Sequence, residues 1–351
     1  MTSEWPYQVS DQFSMWDVTA SLPEQVIAAA ESASNVEHLP DRELIENIVV
    51  FGMGGSGISG DVLIAAAGPV LPVPATVVKS YTTPAYISPG TLVFAMSFSG
   101  ETEETQEAVG MAIEMGAQVV VVSTGGELAK MAMETGMAYV PVPDDIPQPR
   151  AALGALSIPP LMILDSLGLV PGGRYWIDQT INQLQRRRDQ LVSKRSVAEE
   201  IADRLFGKMT LLHSSGSVGS AATTRWRAQI NENSKAMAFA SLYPENCHNE
   251  LAGWESLVEV TKKDLAVVRL RHDNEHPQVN RRYEITSEFI DPNVADALEV
   301  NAQGEGELAQ FFDLAIVGDF VSLHLAGAYG VDPGPINVLN ALKSRLKDPS
   351  N

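Results

Sequence analysis

The sequence has little cysteine and no recognisable leader. Cys247 is the one cysteine among 351 residues, which excludes a framework of internal disulfides and favours a reducing compartment. Residues 1–6 contain neither the basic segment nor the apolar segment of a secretory signal. No apolar run is uninterrupted for long enough to predict a membrane span. We therefore expect a cytoplasmic protein that does not contact a membrane.

Positive charge is also scarce. The chain has 24 Lys and Arg against 44 Asp and Glu, a formal net charge of −20. Such a surface repels nucleic acid and anionic membranes, so neither is expected as a partner. It repels an anionic small molecule too, although salt screens charges beyond roughly 8–10 Å. An anionic ligand would therefore need local donors.

Metal-ligand signals are weak in the sequence. It contains no clustered cysteines, and neither Glu232 nor His248 stands at the spacing of a zinc ligand set. We expect neither a metal nor another cofactor. The chain is long enough for two domains, and its 45% apolar content is ordinary for a globular protein.

A regular alternation of short apolar runs and helical patterns fills the first half. The helical patterns include residues 102–115 and 127–134, and such alternation predicts a parallel sheet with helices on both faces. The predicted strands are residues 47–53, 75–79, 91–97, 118–123 and 137–142.

The second half resumes the alternation after a helical stretch. Residues 151–206 predict helices with a break at Pro159 and Pro160, and the Arg-rich residues 183–195 predict a solvated helix face. The later strands are predicted at 209–213, 236–240, 265–270 and 295–300, and the later helices at 307–329 and 336–346.

A Ser- and Gly-rich loop at 214–220 follows the first of these later strands and weakly echoes the loop at 52–57. The echo predicts two similar α/β domains. We place them at residues 1–155 and 207–351, joined by a helical linker at 156–206.

Two loops rich in Gly, Ser and Thr are the most informative motifs, and they lie 45 residues apart. Residues 52–57 (GMGGSG) and 97–102 (SFSGET) each follow a predicted strand. Ligands of parallel sheets bind at the carboxyl ends of strands, where free N–H groups and hydroxyls hold anions. Ser97, Ser99 and Thr102 supply three hydroxyls, and Thr102 is expected to cap the next helix. The pair predicts a phosphate-binding cup.

The first loop also permits other interpretations. Gly52, Gly54 and Gly57 match G-x-G-x-x-G, a weak dinucleotide signature by itself. A nicotinamide site needs an acid at the end of the next strand, and the sequence there has Lys79 and Ser80. Lys79 could meet a 2′-phosphate, so an NADP-dependent oxidoreductase stays open, as does a tight turn without a ligand.

Four further residues are candidates for chemistry. Arg150, at a predicted helix start, could stabilise an oxyanion, and Glu232 and His248 are common general bases. Taken singly, each of these three is more typical of a structural or surface group, and Lys343, on the last helix, is by default solvated.

These motifs together resemble the bifunctional phosphoglucose/phosphomannose isomerases, two-domain proteins of the sugar isomerase (SIS) fold. The resemblance implies an α/β fold of two doubly wound, flavodoxin-like parallel-sheet domains in tandem. The matching blocks run in order along the chain: residues 52–57, 97–102, 149–154, 231–235 and 248–254, the turn 332–335, and a lysine on the closing helix.

The resemblance implies metal-free interconversion of glucose 6-phosphate, mannose 6-phosphate or both with fructose 6-phosphate through a cis-enediol. The activity that the resemblance implies is that of an intramolecular oxidoreductase of carbohydrate metabolism. Glu232 would move the proton, Arg150 would stabilise the enediolate, and Lys343 would position the ring. His248, offered by the partner subunit of a homodimer, would assist ring opening. The phosphate would be held by Gly55, Ser56, Ser97, Ser99 and Thr102.

Two positions depart from the family pattern. Glu101 stands where family members have Asn, within the phosphate loop. Gly334 stands where they often have Thr, at a position thought to make room for either C2 epimer. A non-catalytic phosphosugar sensor on the same fold therefore stays open as the alternative, although a sensor has no need of a base such as Glu232.

Overall fold

A computed structural model describes residues 4–346, which form two parallel α/β units. The first sheet has five strands in the order β2-β1-β3-β4-β5, and the second has four in the order β7-β6-β8-β9. The strands are β1 (Asn47–Phe51), β2 (Ala75–Val78), β3 (Thr91–Met96), β4 (Gln118–Ser123), β5 (Ala138–Pro141), β6 (Met209–Ser215), β7 (Ala238–Tyr243), β8 (Leu265–Arg271) and β9 (Asp296–Asn301).

The helices of the described residues cover both faces of the sheets and the space between them. They are α1 (Met15–Ala20), α2 (Leu22–Ala33), α3 (Gly54–Ala67), α4 (Glu103–Glu114), α5 (Gly126–Thr135), α6 (Leu153–Ser166), α7 (Gly173–Leu191), α8 (Val197–Leu205), α9 (Gly216–Asn233), α10 (Val258–Asp264), α11 (Pro277–Ile290), α12 (Gly306–Tyr329) and α13 (Asn337–Leu346).

The two sheets confirm the predicted doubly wound architecture. In the first sheet, Val50 of β1 pairs in parallel with Val77 of β2 and with Phe94 of β3. All six residues of β3 are buried, because helices cover both faces of a parallel sheet and select continuous apolar strands. The first four strands of each sheet follow the same order, so the second unit repeats the first without its fifth strand.

The predicted break at Pro159 and Pro160 is wrong. Both prolines lie inside α6, which is continuous from Leu153 to Ser166. Proline removes a backbone donor and normally kinks a helix. Here every residue from Leu153 to Leu164 is buried, and α6 packs on α2 and α3. This packing holds the helix together across the missing bonds.

The predicted solvated face at residues 183–195 is wrong for one side of α7. Arg187 is buried, and its Nε and Nη2 atoms donate to the two carboxylate oxygens of Asp313 on α12, at 2.7 Å each. Gln183 also donates to Asp313. A buried charge needs such a partner, and the sequence distance of 126 residues hides it.

Helix α12 passes the length and composition test for a membrane span, contrary to the sequence expectation, yet 89% of its apolar window is buried inside the protein. It packs on α7, α8 and α9. Gly318 allows a close contact with α9, because a Cβ atom there would lie 2.4 Å from the indole of Trp226. Trp226 in turn donates to the carbonyl of Leu314. α12 is therefore the central helix of the core.

Gly318→Ala should lower the free energy of unfolding by about 1–3 kcal/mol, because the added methyl group overpacks the contact with Trp226. Gly110→Ala is the matched control. Gly110 lies inside α4, and a Cβ atom there would meet nothing within 4 Å, so alanine should stabilise by about 0.5–1 kcal/mol through helix propensity. Urea denaturation measures both, and equal effects of the two substitutions would contradict the packing at Gly318.

Candidate functional site

The two Gly- and Ser-rich loops lie side by side at the carboxyl edge of the first sheet. Their strands β1 and β3 are neighbours, and Ser56 Oγ accepts a hydrogen bond of 2.9 Å from the backbone N–H of Phe98. A Cβ at Gly52 would lie 3.0 Å from the carbonyl oxygen of Met96. The loops therefore form one continuous cup.

The second loop is held by its own hydroxyls. The hydroxyls of Ser97 and Thr102 lie 2.9 Å apart, Gly100 N–H donates to Ser97 Oγ, and Glu101 N–H donates to Ser99 Oγ. Thr102 occupies the N-cap position of α4, but its side chain makes no capping bond. The expected cap is therefore wrong, because the Thr102 hydroxyl bonds to Ser97 instead.

The Glu101 carboxylate forms its hydrogen bonds with groups other than these hydroxyls. Its Oε1 accepts from the backbone N–H of Glu127, at the start of α5, at 2.9 Å. Its Oε2 lies 3.4 Å from Nε2 of Gln106. An acid at a helix N-terminus is favourable to the helix dipole. The charge that departs from the family pattern therefore has a structural partner outside the cup.

Gly55 connects the cup to Arg150. A Cβ at Gly55 would lie 2.8–2.9 Å from backbone atoms of Pro149 and Arg150, which belong to the short 3₁₀ helix Pro149–Ala151. Only a glycine lets the first turn of α3 approach that segment so closely. The cup and the segment that carries Arg150 are therefore adjacent.

The Arg150 guanidinium is buried, with 2% exposure, and bonds to three parts of the chain. Nε donates to Oδ1 of Asn233 at 2.8 Å. Nη2 donates to the carbonyls of Pro333 and Gly334 at 2.7 Å each. Nη1 donates to Gln148 Oε1 at 3.2 Å. Burial lowers the pKa of Arg150, and the charge of Glu232 opposes that shift.

Glu232 lies beside this guanidinium. It lies in the last turn of α9, one residue before Asn233, and its Oε2 is 3.6 Å from Nη1 of Arg150. That distance is too long for a hydrogen bond. A guanidinium has five N–H donors, and the four bonds to described residues leave one Nη1 donor on the side of Glu232. The structure thus brings together a carboxylate, a spare cationic donor and Gly334.

Lys235 belongs to this cluster and was given no role on sequence grounds. Its Nζ donates to the carbonyls of Glu232 and Asp332 at 2.7 and 3.0 Å, so it links the end of α9 to the turn at 332–334. Partial burial and the charge of Arg150 lower the pKa of Lys235 to about 8. Asn233 and Gln148 were missed likewise. The only sequence signal was their position next to Glu232 and Arg150.

The prediction that the Ser- and Gly-rich residues 214–220 form a loop is wrong. These residues also lie outside the cluster of Arg150, Glu232 and Lys235. Strand β6 extends to Ser215, and α9 begins at Gly216. Ser215 Oγ donates to Glu275 Oε1 at 3.3 Å, and Glu275 pairs with Arg271. The carboxylate of Glu275 therefore lies at the carboxyl edge of the second sheet, next to Ser215. Because α9 runs back along that sheet, Glu232 lies near its amino edge.

His248 is not brought to Glu232 within one chain. It lies in the 3₁₀ helix Glu245–His248 beyond the carboxyl end of β7, whereas α9 ends before the amino end of β7. The six residues of β7 separate them, a span of about 17 Å at 3.3 Å per residue. His248 is exposed and lines a surface cavity of about 500 Å³ with Trp254 and Phe289.

Lys343 and Lys79 also lie apart from the cluster. Lys343 is exposed on α13, a helix with no buried residue, and no hydrogen bond or ion pair within residues 4–346 joins it to Arg150 or Glu232. Lys79 forms an ion pair with Asp61 of α3. Within the same range, no group of three or more His, Cys, Asp and Glu side chains could hold a metal ion.

Comparison with known proteins assigns the family. Residues 45–149 match the SIS domain family, and residues 194–346 match the bacterial phospho-glucose isomerase C-terminal SIS domain. A bifunctional phosphoglucose/phosphomannose isomerase of Caldicellulosiruptor bescii is 33% identical over 339 residues, covering 95% of this chain and 99% of that protein. The chain belongs to the bifunctional phosphoglucose/phosphomannose isomerase family.

A second protein of this family, from Aquifex aeolicus, is 32% identical over 303 residues, covering 86% of this chain and 91% of that one. Among solved structures, the tagatose-6-phosphate ketose/aldose isomerase of Escherichia coli superimposes with a TM-score of 0.69 at 15% identity. The match covers 94% of this chain and 97% of that one. At that identity the likeness establishes the fold alone, and it agrees with two SIS domains in tandem.

The lowered pKa of Lys235 predicts a pH-dependent contribution to stability. Between the folded pKa of about 8 and the ordinary value near 10.5, the unfolded chain binds more protons, so this group raises the free energy of unfolding as pH rises. The free energy of unfolding of wild type, relative to that of Lys235→Met, should therefore increase from pH 7 to pH 10. The gain should stay below about 1 kcal/mol, because the side chain is partly solvated.

Urea denaturation at the two pH values measures this gain. Lys262→Met, on the exposed side of α10, is the control and should show no such trend. If wild type and Lys235→Met differ in free energy of unfolding by the same amount at both pH values, the lowered pKa of Lys235 is contradicted.

Proposed function

We propose that the protein is an aldose–ketose isomerase that interconverts glucose 6-phosphate, mannose 6-phosphate or both with fructose 6-phosphate. The observation that carries this proposal is the pair of Arg150 and Glu232, 3.6 Å apart, next to a cup of hydroxyl and N–H donors. A carboxylate base, a cation and an anion site in one place are what proton transfer next to a carbonyl requires.

The chemistry follows from this geometry. With the sugar in its open-chain form, Glu232 removes the C2 proton of the aldose, the electron pair forms the C1=C2 bond of a cis-enediolate, and the carbonyl π electrons move onto O1. A proton passes from the O2 hydroxyl to O1 through the cis-enediol, and the protonated Glu232 returns its proton to C1, which gives the ketose with its carbonyl at C2. The negative charge that develops on the sugar oxygen is stabilised by the remaining Nη1 donor of Arg150, whose charge persists at any working pH. Because Arg150 supplies this stabilisation, the proposed reaction needs neither a metal nor another cofactor.

The phosphate anchors the substrate at a distance from the reacting carbons. We assign it to Gly55, Ser56, Ser97, Ser99 and Thr102, which line the cup. Ser99 is exposed there, whereas Ser56 and Ser97 are buried. Binding energy from this remote group orients C1 and C2 against Glu232. The Glu101 carboxylate does not oppose the phosphate, because it bonds to the start of α5.

His248 and Lys343 act in the proposal through a homodimer. Because β7 separates His248 from Glu232 in one chain, the imidazole that opens the sugar ring comes from the partner subunit. Lys343 positions the ring oxygen and hydroxyls of the sugar once α13 is packed in the homodimer. The exposed apolar side chains of α13, Val338 and Leu342 among them, agree with a helix that packs in an assembly.

The proposed enzyme acts in the cytoplasm. We divide its chain into a first SIS domain at residues 1–155, a helical linker at 156–206 and a second SIS domain at 207–351. The two sheets support this division, because the first ends with β5 and the second begins with β6. The helices α6, α7 and α8 lie between those two strands.

The alternative of a phosphosugar sensor uses the same cup but no base. The position of Glu232 beside Arg150 favours the isomerase, since a sensor has no need of a carboxylate base next to a spare cationic donor. A coupled assay with glucose 6-phosphate and mannose 6-phosphate in parallel, with a chelator present, distinguishes the two. Binding without interconversion would favour the sensor.

Glu232→Gln should lower kcat by about 10²–10⁴-fold, the usual contribution of a general base, while substrate binding measured by calorimetry changes little. Glutamine keeps the size of the side chain and one acceptor oxygen but cannot accept the proton. Turnover within about threefold of wild type would sink the assignment of Glu232. Glu245→Gln, on the exposed segment before His248, is a control for an ordinary carboxylate.

Ser99→Ala should raise KM by about 10-fold, because it removes one hydroxyl from a charged ligand, a loss of about 1.4 kcal/mol. Glu101→Gln should change KM by less than about threefold, since its carboxylate bonds outside the cup. Initial rates with either sugar phosphate measure both. A large fall in KM for Glu101→Gln would show that its charge repels the phosphate.

A further inference from the structure

A short N-terminal segment contacts the turn that holds Arg150. The backbone N–H of Gln12 donates to Oδ2 of Asp332 at 3.2 Å. The ring of Phe13 lies against Gly334, because a Cβ at Gly334 would stand 2.6 Å from Phe13 Cδ2 and 3.0 Å from Cγ. Two adjacent residues of this segment therefore meet one turn, more than 300 positions away in the sequence.

The local fold fixes the position of Phe13. Asp11 accepts from the backbone N–H groups of Met15 and Trp16 at 2.8 and 3.0 Å, which secures the start of α1. Ser14, between them, has a left-handed φ of 50°, a conformation that non-glycine residues adopt only when their surroundings hold them there. Phe13 therefore lies in a tight turn that the hydrogen bonds of Asp11 hold in place.

The turn under the Phe13 ring belongs to the reaction site. The carbonyl of Gly334 accepts from Nη2 of Arg150 at 2.7 Å, and the neighbouring Pro333 carbonyl accepts from the same atom. One residue thus separates the aromatic ring from the guanidinium. Phe13 is 38% exposed, so the contact with Gly334 leaves part of this apolar side chain uncovered.

We propose that Phe13 is a specificity-determining residue that forms an apolar wall beside C2 of the sugar, in the space that a side chain at position 334 would occupy. The proposal rests on the isomerase function above. Glucose and mannose 6-phosphate differ only in which side of C2 carries the hydroxyl. An aromatic wall accepts a C–H bond and leaves a hydroxyl without a partner, so it favours one epimer.

The expected magnitude is modest. Apolar surfaces discriminate a hydroxyl by up to about 100-fold, and an open, partly exposed ring should give less. Phe13→Ala should therefore change the ratio of kcat/KM for the two aldose phosphates by about 10-fold, with the affinity for inorganic phosphate unchanged. Phe13→Leu, which keeps an apolar side chain, should restore most of the wild-type ratio. Tyr175→Ala, an exposed aromatic on α7, is the control.

A double-mutant cycle tests the contact itself. Gly334→Ala should push the Phe13 ring aside and shift the same ratio, whereas in a Phe13→Ala background it should have little further effect. The relative affinity for the two sugar phosphates is measured by calorimetry alongside turnover, so the proposal is tested even in a variant with low activity.

The outcomes are distinguishable. A ratio that stays within twofold of wild type in both single variants, or a Gly334→Ala effect of equal size in both backgrounds, overturns the role of Phe13 and leaves the isomerase intact. Absence of interconversion by wild type overturns the proposed function, while the affinity ratio still decides whether Phe13 discriminates the epimers.

Discussion

The buried guanidinium of Arg150 is the interaction on which the site depends. Burying a cation is unfavourable unless its donors are satisfied, and its acceptors come from three separate parts of the chain. Asn233 ends α9, Gln148 precedes the 3₁₀ helix, and Gly334 lies in the turn after α12. Because one planar group needs all of them at once, the two α/β units are fixed relative to each other at this point.

This cation is also linked to the core. Asn233 Nδ2 donates to Ser322 Oγ at 2.9 Å, and Ser322 Oγ donates to the carbonyl of Asp319 at 2.6 Å. The Asp319 carboxylate forms a buried two-bond pair with Arg225 of α9. A continuous line of polar contacts therefore runs from α12 to the site. Such networks hold one arrangement well because leaving any member unpaired is costly.

In the proposed function, local neutral donors let an acidic protein hold a phosphate. The net charge of −20 acts over distances that salt screens, whereas the proposed phosphate site acts through hydroxyls and N–H groups in contact with the ligand. Glu101 is compatible with this arrangement because the start of α5 takes up its carboxylate. Position relative to a helix end, and not the residue type alone, determines the effect of that charge.

The sequence by itself determined the strands, the first-half alternation and the two loops, since hydrophobic periodicity and turn residues are local signals. It also placed Arg150 and Glu232 as candidates. Their pairing, the burial of Arg187, the continuous path of α6 through its prolines and the direction of Glu101 required the tertiary structure. Each depends on a partner remote in sequence, such as Asp313 for Arg187. Only folding brings those partners within bonding distance.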